Sequence, residues 1–498
     1  MKRRTLPLGL ASLAIAAVLA LTSAHPAAAY IGPGAGFALV SSFAVVFVTI
    51  LIAIFSLLTW PFRSLWRLIA RRHRGKPHIK RLIVLGLDGQ DPRLTDRYIK
   101  EDKLPNFKKL ADMGCYHRLT TTYPSISPVA WSSFSTGTHP PKHNIFDFLD
   151  RDLRTYLPKL SSTHIGSVDK FLKLGKWRIP LKKPEVRLLR RSKPFWNVLG
   201  QANIWSTILR VPITFPPDKF YGAQLSAMSA PDLLGTQGTF FFFTTRPPGA
   251  KFKEGGVRLP LERLDGSDRF NATLTGPENI FLEGEPAMEV PLTLTLDRAA
   301  GKALLELDGG KGESVELSPG KLSDWVSITF KAAPGVKVQG ITRIELTEMD
   351  EHVSLYMTPL SFDPEKPAMP ISHPGYYSTY LAKRIGPYNT LGLAEDTWAL
   401  NEGVVDDATF LDQTWGIHAE REEMFFGAWD KLKQGSLVCV FDGTDRIQHM
   451  FWRYIEDGHP AAKGKENAEH RDAIDQLYAR NDALVGKAME RVEEGDVL

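Results

Sequence analysis

The chain has 498 residues, 43% hydrophobic and 23% charged, which is a globular composition long enough for one large domain with extensions or for two or three domains. Its net charge of +5 is mild but uneven: no Lys, Arg, Asp or Glu lies between Arg4 and Arg63, and eight Lys/Arg without an acid then run from Arg63 to Arg81. Two cysteines, Cys115 and Cys439, exclude a disulfide framework and a thiolate zinc site, and their apolar contexts predict buried, reduced thiols.

MKRR followed by an apolar run and a small-residue A-x-A site reads as a signal-like segment over 1–29, cut after Ala29. A Gly/Pro-rich connection leads to FALVSSFAVVFVTILIAIFSLLTW (37–60), long enough to cross a bilayer, which takes about 20 residues. The basic juxtamembrane segment 61–80 places Arg63, Arg67 and Arg71 on one helical face and is expected at the headgroup boundary. The Arg cluster predicts a membrane-anchored protein of the bacterial inner-membrane type with its large soluble portion facing the cytoplasm.

HIKRLIVLGLDG reads as a buried parallel strand ending in Asp88-Gly89, and TDRYIKEDKLPNFKKLADMG as a helix stopped at Gly114. Residues 165–193 read as a basic loop: a solvated face, or a contact with anionic headgroups or an anionic substrate. FWNVLGQANIWSTILRV gives a further helix and strand. Strands alternating with helices predict an α/β layered fold, with core segments at 81–245 and 366–498. Between them, 246–365 alternates apolar and polar residues between turns and predicts an antiparallel β insertion. SLVCVFDG (436–443) reads as a second buried strand, TDRIQHMFW as a helix, and 466–494 as a long helix. GDVL then stands where a new strand begins.

Three places bear chemistry. Asp88 ends a strand, where ligands collect in open α/β sheets, although Asp-Gly is also a common turn. Ser127 precedes Pro128 at a helix start, as a cap or as a hydroxyl in the positive field of the helix N-terminus. Asp445 and His449, four apart, leave one helix face as two corners of a metal site, or as a helix-start Asp with a surface His.

In combination LIVLGLDG, LPNFKKLADMG, YPSISPVAWSSFSTGTHPPKHNIFDF, RVPITFPP and DGTDRIQHMFW resemble the alkaline phosphatase superfamily. The likeness is to its type I phosphodiesterase/nucleotide pyrophosphatase side, and to a bacterial membrane-anchored group of predicted phosphohydrolases or phosphomutases. The resemblance implies an alkaline-phosphatase-like layered domain with a central, mostly parallel sheet. It implies Ser127 as nucleophile and Asp88, Ser127, Asp445 and His449 as ligands of two divalent metal ions, zinc first and manganese second. The substrate implied is a phosphate ester, attacked in line by Ser127 to give a phosphoseryl intermediate.

The chain departs from that family in having no Ser-Asp-His-Gly motif, in Phe148 near the place of a phosphate-binding Asn, and in Asn144 where Gly is usual. GDVL falls where the strand leading to the missing motif is expected, so 366–498 reads as an incomplete second part of the core. Two other functions keep a place: a non-catalytic membrane-tethered scaffold on a degenerate phosphatase fold, and lipid-headgroup phosphotransfer on a lipid-linked substrate. Nucleic acid is not an expected partner, because the basic segments lack interleaved aromatics on a compact module.

Overall fold

A computed structural model describes residues 54–55, 57–62 and 78–498, except 169, 183, 250, 254 and 463–467. The signal-like segment and most of the expected membrane span and juxtamembrane helix lie outside the described residues. Residues 54–55 and 57–62 are helical, and no helix among the described residues is long and apolar enough to cross a membrane.

Six strands form the central sheet: β1 (Arg81–Leu87), β2 (Ser206–Leu209), β3 (Gly222–Leu225), β4 (Ser372–His373), β5 (Gly435–Phe441) and β6 (Asp496–Val497). Their order is β4-β3-β2-β5-β1-β6, with all neighbours parallel except β4 against β3. β5 is buried at every position, as its unbroken apolar run requires of a strand covered on both faces. β1 and β5 run in register from Arg81↔Gly435 to Leu87↔Phe441, so the Asp-Gly pairs that follow both strands emerge side by side. The mixed α/β architecture agrees with the alkaline-phosphatase-like layering expected from sequence.

The helices that bear on the site are α1 (Pro92–Lys100), α2 (Pro105–Met113), α3 (Ser127–Thr136), α4 (Phe195–Gln201), α5 (Tyr377–Ile385), α6 (Asp407–Trp429), α7 (Gly443–Phe451) and α8 (Ala473–Met489). The single helix expected after Asp88 is two. Asp102 takes a positive φ of 54°, and Pro105 in the first turn of α2 lacks the N–H that would continue α1. Gly114 caps α2 as expected. Cys439 is buried on β5, but Cys115 is exposed, because residues 115–120 follow α2 as irregular surface chain.

The β insertion begins earlier than expected, at strand Phe241–Thr244, and ends at Ser361–Phe362. It is not wholly antiparallel: Phe241–Thr244 pairs in parallel with Val257–Pro260, the crossover occupying the residues between them. Its apolar face continues the core of the central sheet. Leu292, Leu305, Ile328 and Phe330 belong to the same buried cluster as Ile83, Leu209 and Phe441. The basic stretch 165–193 is not a plain loop but contains the hairpin Phe171–Leu174/Trp177–Pro180 within the pair Thr163–Ile165/Val186–Leu188.

Candidate active site

Asp88 leaves the carboxyl end of β1, its N–H bonded to Phe441 O of β5 at 2.8 Å, and is 6% exposed. Two glycines in LGLDG shape the ground around it. A Cβ on Gly86 would stand 2.7 Å from Cη2 of Trp131, so the indole lies directly across the strand. Gly89 has φ +72°, and a Cβ there would stand 2.9 Å from the Asp445 Cα. The two Asp-Gly loops thus touch through a position that only glycine fills without displacement.

Ser127 opens α3 without capping it: the N-cap is Ile126, and no side chain makes a cap bond. Its hydroxyl instead lies 3.3 Å and 3.2 Å from Oδ1 and Oδ2 of Asp88. Trp131, one turn further on, donates Nε1–H to Asp88 Oδ1 at 2.8 Å. Strand end and helix start therefore meet on one carboxylate.

From β5 the chain enters α7. Asp445 in its first turn lies 3.3 Å from His449 Nε2, a side chain that is 68% exposed. Asp445 also faces Arg446 at 3.5 Å, and Arg446 reaches buried Glu395 at 3.7 Å. Gln448 Nε2 donates to Gly89 O at 2.6 Å, tying α7 to the β1 loop. All four residues expected from sequence are brought to this corner, Asp88 and Ser127 in direct contact and Asp445 and His449 across Gly89.

Sequence reading missed the second layer. Asp442 ends β5 as Asp88 ends β1, and its carboxylate is gripped by Arg421 of α6 through two N–H···O bonds, one of 3.0 Å. Arg210, just past β2, is buried and donates to Ser226 O and Leu391 O at 3.0 and 2.7 Å. The repeated strand–Asp–Gly ending was a visible signal for Asp442. Arg421 and Arg210 carried none, being single arginines in a helix and a loop.

Charge in this corner is crowded. Burial, then the facing Asp445 carboxylate, pushes the Asp88 carboxyl up to about 6 against the pull of the Trp131 bond. Burial and Asp442 push Glu395 up to about 7. Asp442 is buried too, yet Arg421 holds it below the usual carboxylate range. The hydrogen bond to Asp445 raises His449. Burial first and the Asp445 carboxylate second disfavour the charged form of Asp88, a cost that a bound cation would offset, and carboxylate, hydroxyl and imidazole donors suit zinc or manganese. No group of three or more His, Cys, Asp or Glu poised to hold a metal ion occurs among the described residues.

The loop after α3 is held by His143. Its Nδ1 accepts Ile145 N–H at 3.2 Å, which leaves Nε2–H to donate to Ser133 Oγ at 2.9 Å. Burial, then Arg190, lowers it to about 4, so it is a neutral structural histidine. Asn144, the departure noted from sequence, sits at φ 64°, ψ 26°, a left-handed position that Asn tolerates better than most residues.

With this geometry in view, comparison with known families finds a likeness in the first part of the chain. Residues 82–250 match the sequence model of type I phosphodiesterase / nucleotide pyrophosphatase. Over these residues the chain is similar to that family, which lies within the alkaline phosphatase superfamily. The name of that model speaks of phosphate ester chemistry, and the match covers about a third of the chain. The match includes Asp88 and Ser127, whereas Asp445 and His449 lie beyond it. No curated protein and no solved structure matches the chain.

Proposed function

We propose that the protein is a metal-dependent phosphoric ester hydrolase or phosphotransferase whose nucleophile is Ser127. The observation that carries this reading is the placement of Ser127 Oγ 3.2–3.3 Å from both oxygens of Asp88, in place of a helix cap. Asp88 orients the hydroxyl, and Trp131 and the Phe441 carbonyl fix Asp88. Oγ attacks phosphorus in line, the P–O bond to the leaving group breaks, and a phosphoseryl enzyme results that water or an acceptor alcohol resolves. The N-terminus of α3 favours negative charge developing at that point.

Asp88, Ser127, Asp445 and His449 would hold divalent cations, zinc first, which supply charge neutralisation of the phosphoryl oxygens and a lowered hydroxyl pKa. Arg446 and Arg421 keep Asp445 and Asp442 in place behind them. Turnover of aryl phosphate monoesters and diesters with added zinc or manganese tests the reading. The wild type is expected to turn over and Ser127→Ala is not. No turnover by the wild type, or undiminished turnover by the variant, defeats it.

A second reading, a non-catalytic binding protein on the same fold, draws on Arg446. Its guanidinium already stands 3.5 Å from Asp445, a cation supplied by the chain itself. Tight binding of a phosphate ester without turnover would favour it. The membrane anchor and the cytoplasmic orientation remain part of the proposal, on the strength of the apolar run 37–60 and the arginines after it.

A further inference from the structure

Past His143 the chain builds surface that the chemistry above does not use. Strands Leu149–Arg151 and Pro158–Leu160 form a hairpin in the register Leu149↔Leu160. Phe146, Phe148 and Leu149 are 49%, 41% and 55% exposed, and Leu153, Tyr156 and Leu157 at the tip are 76%, 69% and 64% exposed. Single exposed apolar side chains are ordinary, but six within one short stretch form a patch of the kind that marks an interaction site. The tip is an ordered turn. Asp152 accepts from Arg154 N–H at 2.8 Å and its N–H reaches Leu157 O at 2.9 Å, while Arg151 lies over the Tyr156 ring at 5.6 Å.

Beside the tip a cleft of about 470 Å³ opens between this hairpin and the neighbouring Thr163–Ile165/Val186–Leu188 pair, lined by Arg154, Lys159, His164 and Arg187 together with Leu153 and Asp152. Lys159 and Arg187 make only long contacts of 3.8 Å, to Asp150 and Glu185, and Arg154 makes no ion pair among the described residues. Residues 147–191 hold twelve Lys/Arg against five Asp/Glu, more positive charge than the +5 of the whole chain.

We infer that this hairpin is a docking element for an anionic bilayer surface: Leu153, Tyr156 and Leu157 enter the headgroup–acyl boundary while the cleft takes headgroup phosphates. Apolar tips flanked by cations are what such a surface rewards, since apolar burial and attraction to anionic lipid act together. A soluble anion would occupy the cleft and leave the tip unexplained. A second copy placed symmetrically would set two cationic clefts against each other.

The test uses the full chain reconstituted in vesicles, with Cys115→Ser and an environment-sensitive fluorophore on Thr155→Cys. A matched control carries the label on Ala300→Cys, in the exposed turn between two insertion strands. In vesicles of phosphatidylcholine mixed with phosphatidylglycerol, spin-labelled lipid is expected to quench the label at 155 and not at 300, with little quenching in phosphatidylcholine alone. The combined variant Arg154→Glu, Lys159→Glu weakens the lipid contact by roughly tenfold or more. Leu153→Ser with Leu157→Ser abolishes quenching while circular dichroism stays unchanged. A label at 155 that remains water-exposed on anionic vesicles overturns the inference, as does shielding that needs no lipid and grows with protein concentration, which assigns the patch to a second copy.

Discussion

Gly89 and Asp445, more than 350 positions apart, are in such close apposition that a single added methyl on the glycine would stand 2.9 Å from the Asp445 Cα. Gly89 also holds φ +72°, a conformation that costs an L-residue. Gly89→Ala is therefore expected to lower stability by roughly 1–3 kcal/mol and to reduce turnover more than its stability loss explains, because α7 must move. Thermal denaturation and aryl phosphate kinetics on the same preparation check both parts.

Trp131 donates to the carboxylate that Ser127 touches. That bond favours the charged form of Asp88 and pulls against burial. Trp131→Phe removes the donor together with the outer indole ring over Gly86, so the Asp88 carboxyl loses the bond that favours its charged form and rises further above its present value of about 6. The acid limb of the kcat/KM profile is expected to move to higher pH, while the melting temperature falls with the lost ring. An unmoved limb would separate Asp88 from the rate-determining ionisation.

Much of this corner was readable in the sequence because its signals are local. Asp88 and Asp442 follow unbroken apolar strands, Ser127 precedes a proline that starts a helix, and Asp445 and His449 share one helical face. What was not readable came from contacts across hundreds of residues. Arg421 lies within a helix whose other buried positions are mostly apolar, and nothing in its neighbours says that Asp442 needs it. Trp131 carried no signal of its own, and only the fold brings its Nε1–H to the Asp88 carboxylate. The split of the first helix was written in Pro105 and was passed over for the continuous spacing of apolar residues.

Arg421 and Asp442 form a buried pair behind the site, each under a tenth exposed. Removing one partner strands the other charge, so Arg421→Met is expected to cost about 3–5 kcal/mol of stability. The double variant Arg421→Met, Asp442→Asn should recover part of that loss. Urea unfolding of the wild type, both single variants and the double variant measures the coupling, and simple additivity would contradict the pairing.

Glu345, in the insertion, is 4% exposed with Oε2 lacking a hydrogen-bond partner, and burial pushes its carboxyl up from 4.5 to about 7. The folded protein thus holds a proton that the unfolded chain releases between those values. The stability this contributes is present below the lower value and is lost as pH rises through the upper one. Glu345→Gln is expected to stabilise the protein at about pH 8 by roughly 2–3 kcal/mol, with the difference shrinking toward zero near the lower value. Denaturation at a series of pH values checks the sign and the window.

The central claim is that Ser127 receives the phosphoryl group. Rapid acid quench of the full-length protein with an aryl phosphate and zinc, followed by peptide mapping, locates any covalent phosphate. Phosphoserine at position 127, absent from Ser127→Ala and from a wild-type sample treated with chelator, is the predicted result. Phosphate on a different residue, or steady turnover by Ser127→Ala at the wild-type rate, would contradict it.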